Sequence, residues 1–97
     1  MAKIELIDDD EYAFDCPGCG TLHSVFVAPA KSGMPRPQWS WNGSMDAPTF
    51  KPSVLVRWKT PEPKCCHSFI TDGMIQFLGD CTHSLAGQTV ELPDIEL

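Results

Sequence analysis

The sequence predicts a small, mostly β fold that forms one compact domain over residues 1–97, with at most one short helical turn near the C-terminus. Nine prolines and seven glycines divide the chain of 97 residues into short segments. Apolar and polar residues alternate within several of these segments, as they do in half-buried strands. Asp72-Gly73 separates two of them and suits the two-residue turn of a β-hairpin, because both central residues of that turn need positive φ.

The predicted elements follow one another with little space between them. Strands are expected at Lys3–Ile7, Glu11–Asp15, Leu22–Ala28, Gln38–Asn42, Val54–Trp58, on both sides of Asp72-Gly73, and at Thr89–Leu92. Prolines predict loops at residues 29–37 and 60–64, and the segment NGSMDAPTFKPS is expected to wind between two strands. The helical turn is expected near Ser84–Ala86.

Charge and cysteine content limit the possible partners and location. The net charge is −6, from thirteen acidic and seven basic residues, and the basic residues form no run, so binding to a nucleic-acid backbone is disfavoured. No apolar run approaches the roughly 20 residues of a membrane helix, and the N-terminus lacks a signal-peptide core. We therefore expect a cytoplasmic protein, where five cysteines indicate a metal site or free thiols rather than disulfides.

The octapeptide CPGCGTLH is the first candidate site. It places Cys16 and Cys19 around a Pro-Gly turn between two predicted strands, which is typical of a zinc knuckle. A redox dithiol of the thioredoxin type would need a helix directly after the second cysteine, and none is predicted. A structural zinc ion takes four ligands, so the knuckle requires two more from elsewhere in the chain.

The predicted hairpin around Asp72-Gly73 supplies further candidates at its open end. Its register places residues whose numbers sum to 145 opposite each other, so His67 faces Leu78 and the segments CCH and DCTH converge. Alternation along a strand then sorts their side chains onto two faces. One face is expected to carry Cys66, Cys81 and His83, and the other Cys65, His67 and Asp80.

These residues leave several ligand sets open. Cys66 and His67 are adjacent, so both could reach one ion only if the strand were bulged or frayed there. Cys81 and His83 remain as alternative ligands or as ligands of a second site. Cys65 is interpreted as a buried free thiol, since an unligated cysteine packs as a small hydrophobe.

Several longer segments resemble a family of small phage and prophage proteins, some of which are called "ammonia monooxygenase". The segments are WSWNG, APTFKPSVLV, CHSFITDGMIQFLGDCTHSLAGQTVELPD and the CPGCG knuckle, and together they cover nearly the whole chain. The resemblance implies a zinc-ribbon-like domain without an established activity, in the host cytoplasm if the protein is phage-encoded. It also implies the ligand set Cys16, Cys19, Cys66 and His67. A monooxygenase is disfavoured, because so short a chain offers little room for an open redox-metal site and a substrate cavity.

Two functions remain as hypotheses at this point. The first is a structural Zn²⁺ module with a protein-interaction or accessory role, acting on an unidentified protein partner or on a second copy of itself. The second is a zinc-dependent hydrolase in which His83 and Asp80 act beside a metal-bound water. The number of protein ligands distinguishes them, because four ligands close the coordination sphere and three leave a position for water.

Overall fold

The computed structural model describes residues 2–8, 10–28, 37–59 and 62–95, and it confirms the mostly β fold. The described residues form two antiparallel sheets and no helix. The three-stranded sheet has the order β1-β2-β3 and the five-stranded sheet the order β4-β5-β6-β7-β8. The strands are β1 (Ile4–Asp8), β2 (Glu11–Cys16), β3 (Thr21–Phe26), β4 (Ser40–Trp41), β5 (Phe50–Trp58), β6 (Lys64–Thr71), β7 (Met74–Phe77) and β8 (Thr89–Glu91).

A common core joins the two sheets. Burial alternates along β3, β6 and β7, so one face of each sheet contributes apolar side chains to the interior. Phe14 and Phe50, one from each sheet, are among the largest fully buried side chains. Complete burial of an aromatic or aliphatic side chain contributes about 1.5–3 kcal/mol, so this shared core is the main apolar stabilisation of a small chain. The other core residues are Ile4, Cys16, Val25, Val54, Cys66, Ile70, Ile75, Phe77, Cys81 and Leu92.

The hairpin of β6 and β7 has the register that the sequence predicts. Ser68 pairs with Phe77 and Thr71 pairs with Met74, so both pairs sum to 145. Asp72 and Gly73 have φ of 50° and 79°, the left-handed values that a type I′ turn requires. The Leu78 N–H donates to the carbonyl of His67 at 2.9 Å, which continues the ladder to the open end of the hairpin.

Strand β5 begins earlier than predicted. Phe50–Ser53 belong to the segment expected to be a winding connection, yet the strand runs through them with an irregularity between Phe50 and Val54. The prediction was wrong here because a proline was taken to end the strand. Proline is tolerated at a bulge, where no ladder hydrogen bond is needed from its nitrogen. The bulge contains Pro52 and Ser53.

Other predictions concern the ends of elements. The predicted strand Gln38–Asn42 is reduced to β4. The helical turn predicted near Ser84–Ala86 is a hydrogen-bonded turn in which the Ala86 N–H donates to His83 O at 3.3 Å.

Residues 29–36 of one predicted loop, and residues 60 and 61 of the other, lie outside the described part of the chain. Across the described ranges, no helix is long and apolar enough to cross a membrane.

Candidate functional site

Four side chains from three separate stretches of sequence converge between the two sheets. Cys16 ends β2, Cys19 lies in the turn after it, Cys66 lies in β6, and His83 follows β7. Their ligand atoms all lie within 4.8 Å of one another. Cys16 and Cys66 are buried, while Cys19 and His83 are half-buried. This cluster, Cys16/Cys19/Cys66/His83, could hold a metal ion and is called the Cys₃His cluster below.

The spacing within the Cys₃His cluster fits tetrahedral coordination. The Sγ atoms of Cys16 and Cys66 are 3.8 Å apart, and Cys66 Sγ is 3.6 Å from His83 Nε2. Zinc–sulfur bonds of about 2.3 Å and zinc–nitrogen bonds of about 2.0–2.1 Å at tetrahedral angles place two ligand atoms roughly 3.5–3.8 Å apart. These two pairs of donors are therefore already separated by the distances that such an ion requires, and the other pairs lie within 4.8 Å.

The charges of the three thiols also favour a cation. The hydrogen bond with Cys66 lowers the pKa of Cys16 to about 3, while that same bond, followed by burial, raises the pKa of Cys66. Burial first, and then the negative charge of Cys16, raise the pKa of Cys19 to about 11. These opposite shifts in pKa favour the thiolate at Cys16 and the neutral thiol at Cys19 and Cys66 when no cation is near. A bound divalent ion offsets the repulsion and allows all three to ionise, because a coordinating thiol loses its proton.

Gly18 permits His83 to approach the Cys16–Cys19 turn. A Cβ atom at Gly18 would collide with Cε1, Nε2 and Nδ1 of the His83 ring. This ring also packs edge-on against Phe77, with centroids 4.4 Å apart. The imidazole therefore fills the space between a glycine and an aromatic side chain, and its position depends on the absence of a side chain at residue 18.

Replacing Gly18 with alanine is expected to lower zinc affinity about 10- to 100-fold, the range seen when groups that orient metal ligands are lost. The added methyl group would push the His83 ring away from the thiols. Competition with a chromophoric chelator measures the affinity. Gly79→Ala is the matched control, since no atom lies within 4 Å of a Cβ built there. Equal affinities in the two variants would show that His83 is not a ligand.

The structure does not place His67 in the Cys₃His cluster. Strand β6 pairs regularly with β5 here, Cys66 opposite Val56 and His67 opposite Leu55, with no bulge between them. Adjacent residues of a regular strand point to opposite faces, so Cys66 faces the interior and His67 faces the open side of the five-stranded sheet.

His67 instead lies between a serine and an aspartate. Its Nε2 is 2.9 Å from Ser53 Oγ, and its Nδ1 is 3.1 Å from Asp80 Oδ2. A carboxylate accepts hydrogen bonds, so Nδ1 donates to Asp80 and Nε2 is left to accept from the Ser53 hydroxyl. This is the arrangement of a Ser-His-Asp triad, which is recognised by geometry and not by position in the chain. The side chains of His67 and Asp80 are 24% and 51% exposed, so the Ser53/His67/Asp80 triad is open to solvent.

Two neighbours hold this triad in place. Cys81 Sγ accepts from the His67 N–H and donates to the His67 carbonyl, each at 3.2 Å. Cys81 is 9% exposed and adjoins Asp80 in the chain, so one thiol fixes the backbone at both residues. On the other side, the indole N–H of Trp39 donates to the carbonyl of Ser53 at 3.2 Å and fixes the β5 bulge.

The remaining candidates lie outside both groups. Cys65 is half-buried and pairs with Arg57 of β5. Its carbonyl accepts from the Thr82 N–H at 2.9 Å.

The sequence did not indicate Ser53 as a functional residue. Its proximity to His67 depends on the pairing of β5 with β6, and no turn signal in the sequence defines that register.

Comparison with known proteins adds one family. A family model described as "Bacterial ubiquitination-like system serine protease (BubE)" matches residues 2–78. The chain belongs to the BubE family. The BubE match includes Ser53 and His67 of the triad and ends before Asp80 and His83. Its description does not name the phage zinc-ribbon-like family that the sequence resembles, nor the monooxygenase label that the sequence disfavours. No curated protein and no solved structure matches the chain.

Proposed function

We propose that this chain is a serine protease in which Ser53 is the nucleophile, His67 the general base and Asp80 the residue that orients His67. The observation that carries the proposal is the unbroken hydrogen-bonded series from Ser53 Oγ through the His67 ring to Asp80 Oδ2, at 2.9 and 3.1 Å. The description of the BubE family as a serine protease of a ubiquitination-like system supports it independently. Within such a system the chain has an accessory role, the cleavage of a peptide bond.

The chemistry follows from these three side chains. Ser53 Oγ attacks the carbonyl carbon of the scissile bond while its proton passes to His67 Nε2, and Asp80 stabilises the imidazolium that forms. His67 then returns the proton to the departing amine as the C–N bond breaks, which leaves an ester on Ser53. A water molecule then adds to this ester and gives a proton to His67, which passes it to Ser53 Oγ as the C–O bond breaks and the acid is released. The order Ser53, His67, Asp80 differs from that of chymotrypsin, subtilisin and the α/β-hydrolases, as expected if the same geometry arises on an unrelated fold.

The Cys₃His cluster has a structural role in this proposal, with Zn²⁺ as the ion. Three thiolates and one imidazole form a closed tetrahedral donor set of the kind found in structural zinc sites. Two of the ligands adjoin the triad, since Cys66 precedes His67 and His83 lies three residues after Asp80. Bound zinc would therefore fix the part of β6 that carries the base and the connection after β7 that carries its orienting carboxylate.

The geometry favours this function over a zinc-dependent hydrolase. That alternative needs a coordination position for water and needs Asp80 and His83 to act together beside the metal. His83 is one of the four clustered donors, whereas Asp80 contacts His67 on the opposite face of the sheet. The serine mechanism uses contacts that are already formed.

A fluorophosphonate probe tests the proposal, because it modifies serines that an adjacent base activates. Zinc-loaded protein is treated with the probe, digested and mapped by mass spectrometry. The expected result is a single adduct on Ser53 that disappears in Ser53→Ala.

Ser40→Ala is the matched control for this experiment. Ser40 is exposed and its hydroxyl lies near the carbonyl of Lys51, 3.5 Å away, with no histidine beside it. This variant should be labelled as fast as the original protein. A folded, zinc-loaded protein that takes up no label, or takes it up on another serine, would refute the assignment of Ser53.

A further inference from the structure

The open face of the five-stranded sheet carries apolar side chains on both sides of His67. Leu55 lies directly opposite His67 on β5, and Phe69 lies two residues further along β6 on the same face. Their exposed fractions are 46% and 41%. Directly opposed residues have Cβ atoms about 4.5–5.5 Å apart, so Leu55 borders His67 across the strands. Phe69 is the next residue after His67 on the same face of β6. Met74, 39% exposed, continues this apolar strip on β7.

Positive charge is concentrated beside the same strip. Residues 51–64 contain four of the seven basic residues of the chain and one of its thirteen acidic residues. Arg57 lies two positions after Leu55 on the same face of β5, and Lys59 and Lys64 are exposed near the same end of the strand pair. None of these three forms an ion pair with another residue in the described ranges. The region next to the triad is therefore basic although the whole chain has a net charge of −6.

The edge of the sheet beside Ser53 suits an extended main chain. Strand β4 pairs with β5 at Phe50 and Lys51 alone. Within the described ranges, no strand pairs with Val54–Trp58 on the side opposite β6. An extended peptide bound along an unpaired strand forms main-chain hydrogen bonds and presents alternate side chains to one face. That face here carries Leu55 and Arg57.

From these three observations we infer that the substrate is an extended peptide with a bulky apolar residue beside the scissile bond and acidic residues on the side that meets Arg57. This inference rests on the proposed function. The apolar residue packs against Leu55 and Phe69, where loss of one well-packed side chain lowers kcat/KM by about tenfold or more. Carboxylates of the substrate pair with Arg57 and its basic neighbours, and a guanidinium is well suited to two parallel hydrogen bonds with a carboxylate.

Cleavage of a peptide mixture of known sequences, read by mass spectrometry, tests the inference. Cuts by the original protein should occur next to Leu, Phe or Met, with Asp and Glu enriched on one side. Phe69→Ala and Leu55→Ala should lower kcat/KM about tenfold on the best apolar peptide and flatten the apolar preference. Arg57→Glu should reverse the charge preference, so that Lys and Arg replace Asp and Glu as the enriched residues of the cleaved peptides. Leu22→Ala, an exposed leucine of the other sheet at 55%, should change neither preference.

The fluorophosphonate reaction distinguishes a failure of the substrate inference from a failure of the proposed protease function. Leu22→Ala should label at Ser53 as fast as the original protein, because Leu22 lies on the other sheet. The Leu55, Phe69 and Arg57 variants should form the same Ser53 adduct, which shows that their triad is assembled. If all variants form the Ser53 adduct and cut the peptide mixture with the same preferences as the original protein, the assignment of Leu55, Phe69 and Arg57 to substrate binding is wrong. The proposed protease function would be unaffected by that result. Absence of both labelling and cleavage in the original protein would overturn the function and this inference together.

Discussion

Replacing His67 with alanine is expected to slow the reaction of Ser53 with a fluorophosphonate, and the hydrolysis of a peptide, by about 10⁴- to 10⁶-fold. The hydroxyl of Ser53 is a weak nucleophile without a base, and His67 Nε2 lies 2.9 Å from it. Asp80→Asn should produce a loss of similar size, because an amide beside Nδ1 no longer selects the ring tautomer that leaves Nε2 free to accept the proton. Initial rates on zinc-loaded protein measure both effects.

Asp72→Asn provides the matched control for the change at Asp80. Asp72 is exposed at the β6–β7 turn with a φ of 50°, a conformation that asparagine adopts readily. It should keep full activity. Losses of less than tenfold in both triad variants, with normal thermal unfolding curves, would mean that Ser53 reacts without His67 and would remove the basis of the mechanism.

Removal of the metal is expected to unfold the protein and to abolish its activity. Zinc bound by a structural cysteine-rich site contributes roughly 10–16 kcal/mol of apparent binding free energy near pH 7, which is comparable to or larger than the total stability of many small domains. Cys16→Ser should therefore bind less than one equivalent of zinc and lose the cooperative thermal transition. A strong chelator should have the same effect on the original protein. Metal content is measured by elemental analysis, and unfolding by circular dichroism.

Cys65→Ser is the control for this prediction, since Cys65 lies outside the Cys₃His cluster and is half-buried. It should retain one zinc per chain and most of its stability. A Cys16→Ser protein that keeps both its metal and its transition would exclude Cys16 as a ligand. If the metal is lost while the fold and the triad remain active, the cluster does not support the catalytic residues.

The sequence predicted the parts of this fold that local signals specify. Asp72-Gly73 defines a turn of fixed length, and a turn of fixed length defines the register of β6 and β7. Pro17, Gly18 and Gly20 correctly predicted the turn that separates β2 from β3. Pairing between β5 and β6 has no such signal, because the connection between these strands has no defined turn chemistry. The proline at position 52 also hid the early start of β5, because proline within a strand is usually found only at edges or bulges.

The candidate site was predictable to the same extent. Side-chain alternation separated Cys66 and His83 from His67 and Asp80, and the structure has this separation. The resemblance to phage proteins implied that Cys66 and His67 act together, which a regular strand does not allow. Ser53 could not be found in this way, because its role depends on a contact across 14 residues of chain that only the three-dimensional pairing creates.

The alternation of Cys66 and His67 on β6 has a consequence for how this chain tolerates change in length. Cys66 and His67 are adjacent in the chain but point to opposite faces of the sheet. Asp80 and His83, which contact the triad and the Cys₃His cluster respectively, are only three residues apart. Inserting or deleting a single amino acid within β6 would exchange its inward and outward positions, since a shift of one residue reverses every side chain of a strand. A change of length between Asp80 and His83, which lie in the connection after β7, would move one of them away from its partner. Length variation among natural relatives should therefore accumulate in the connections and be rare within these two short stretches.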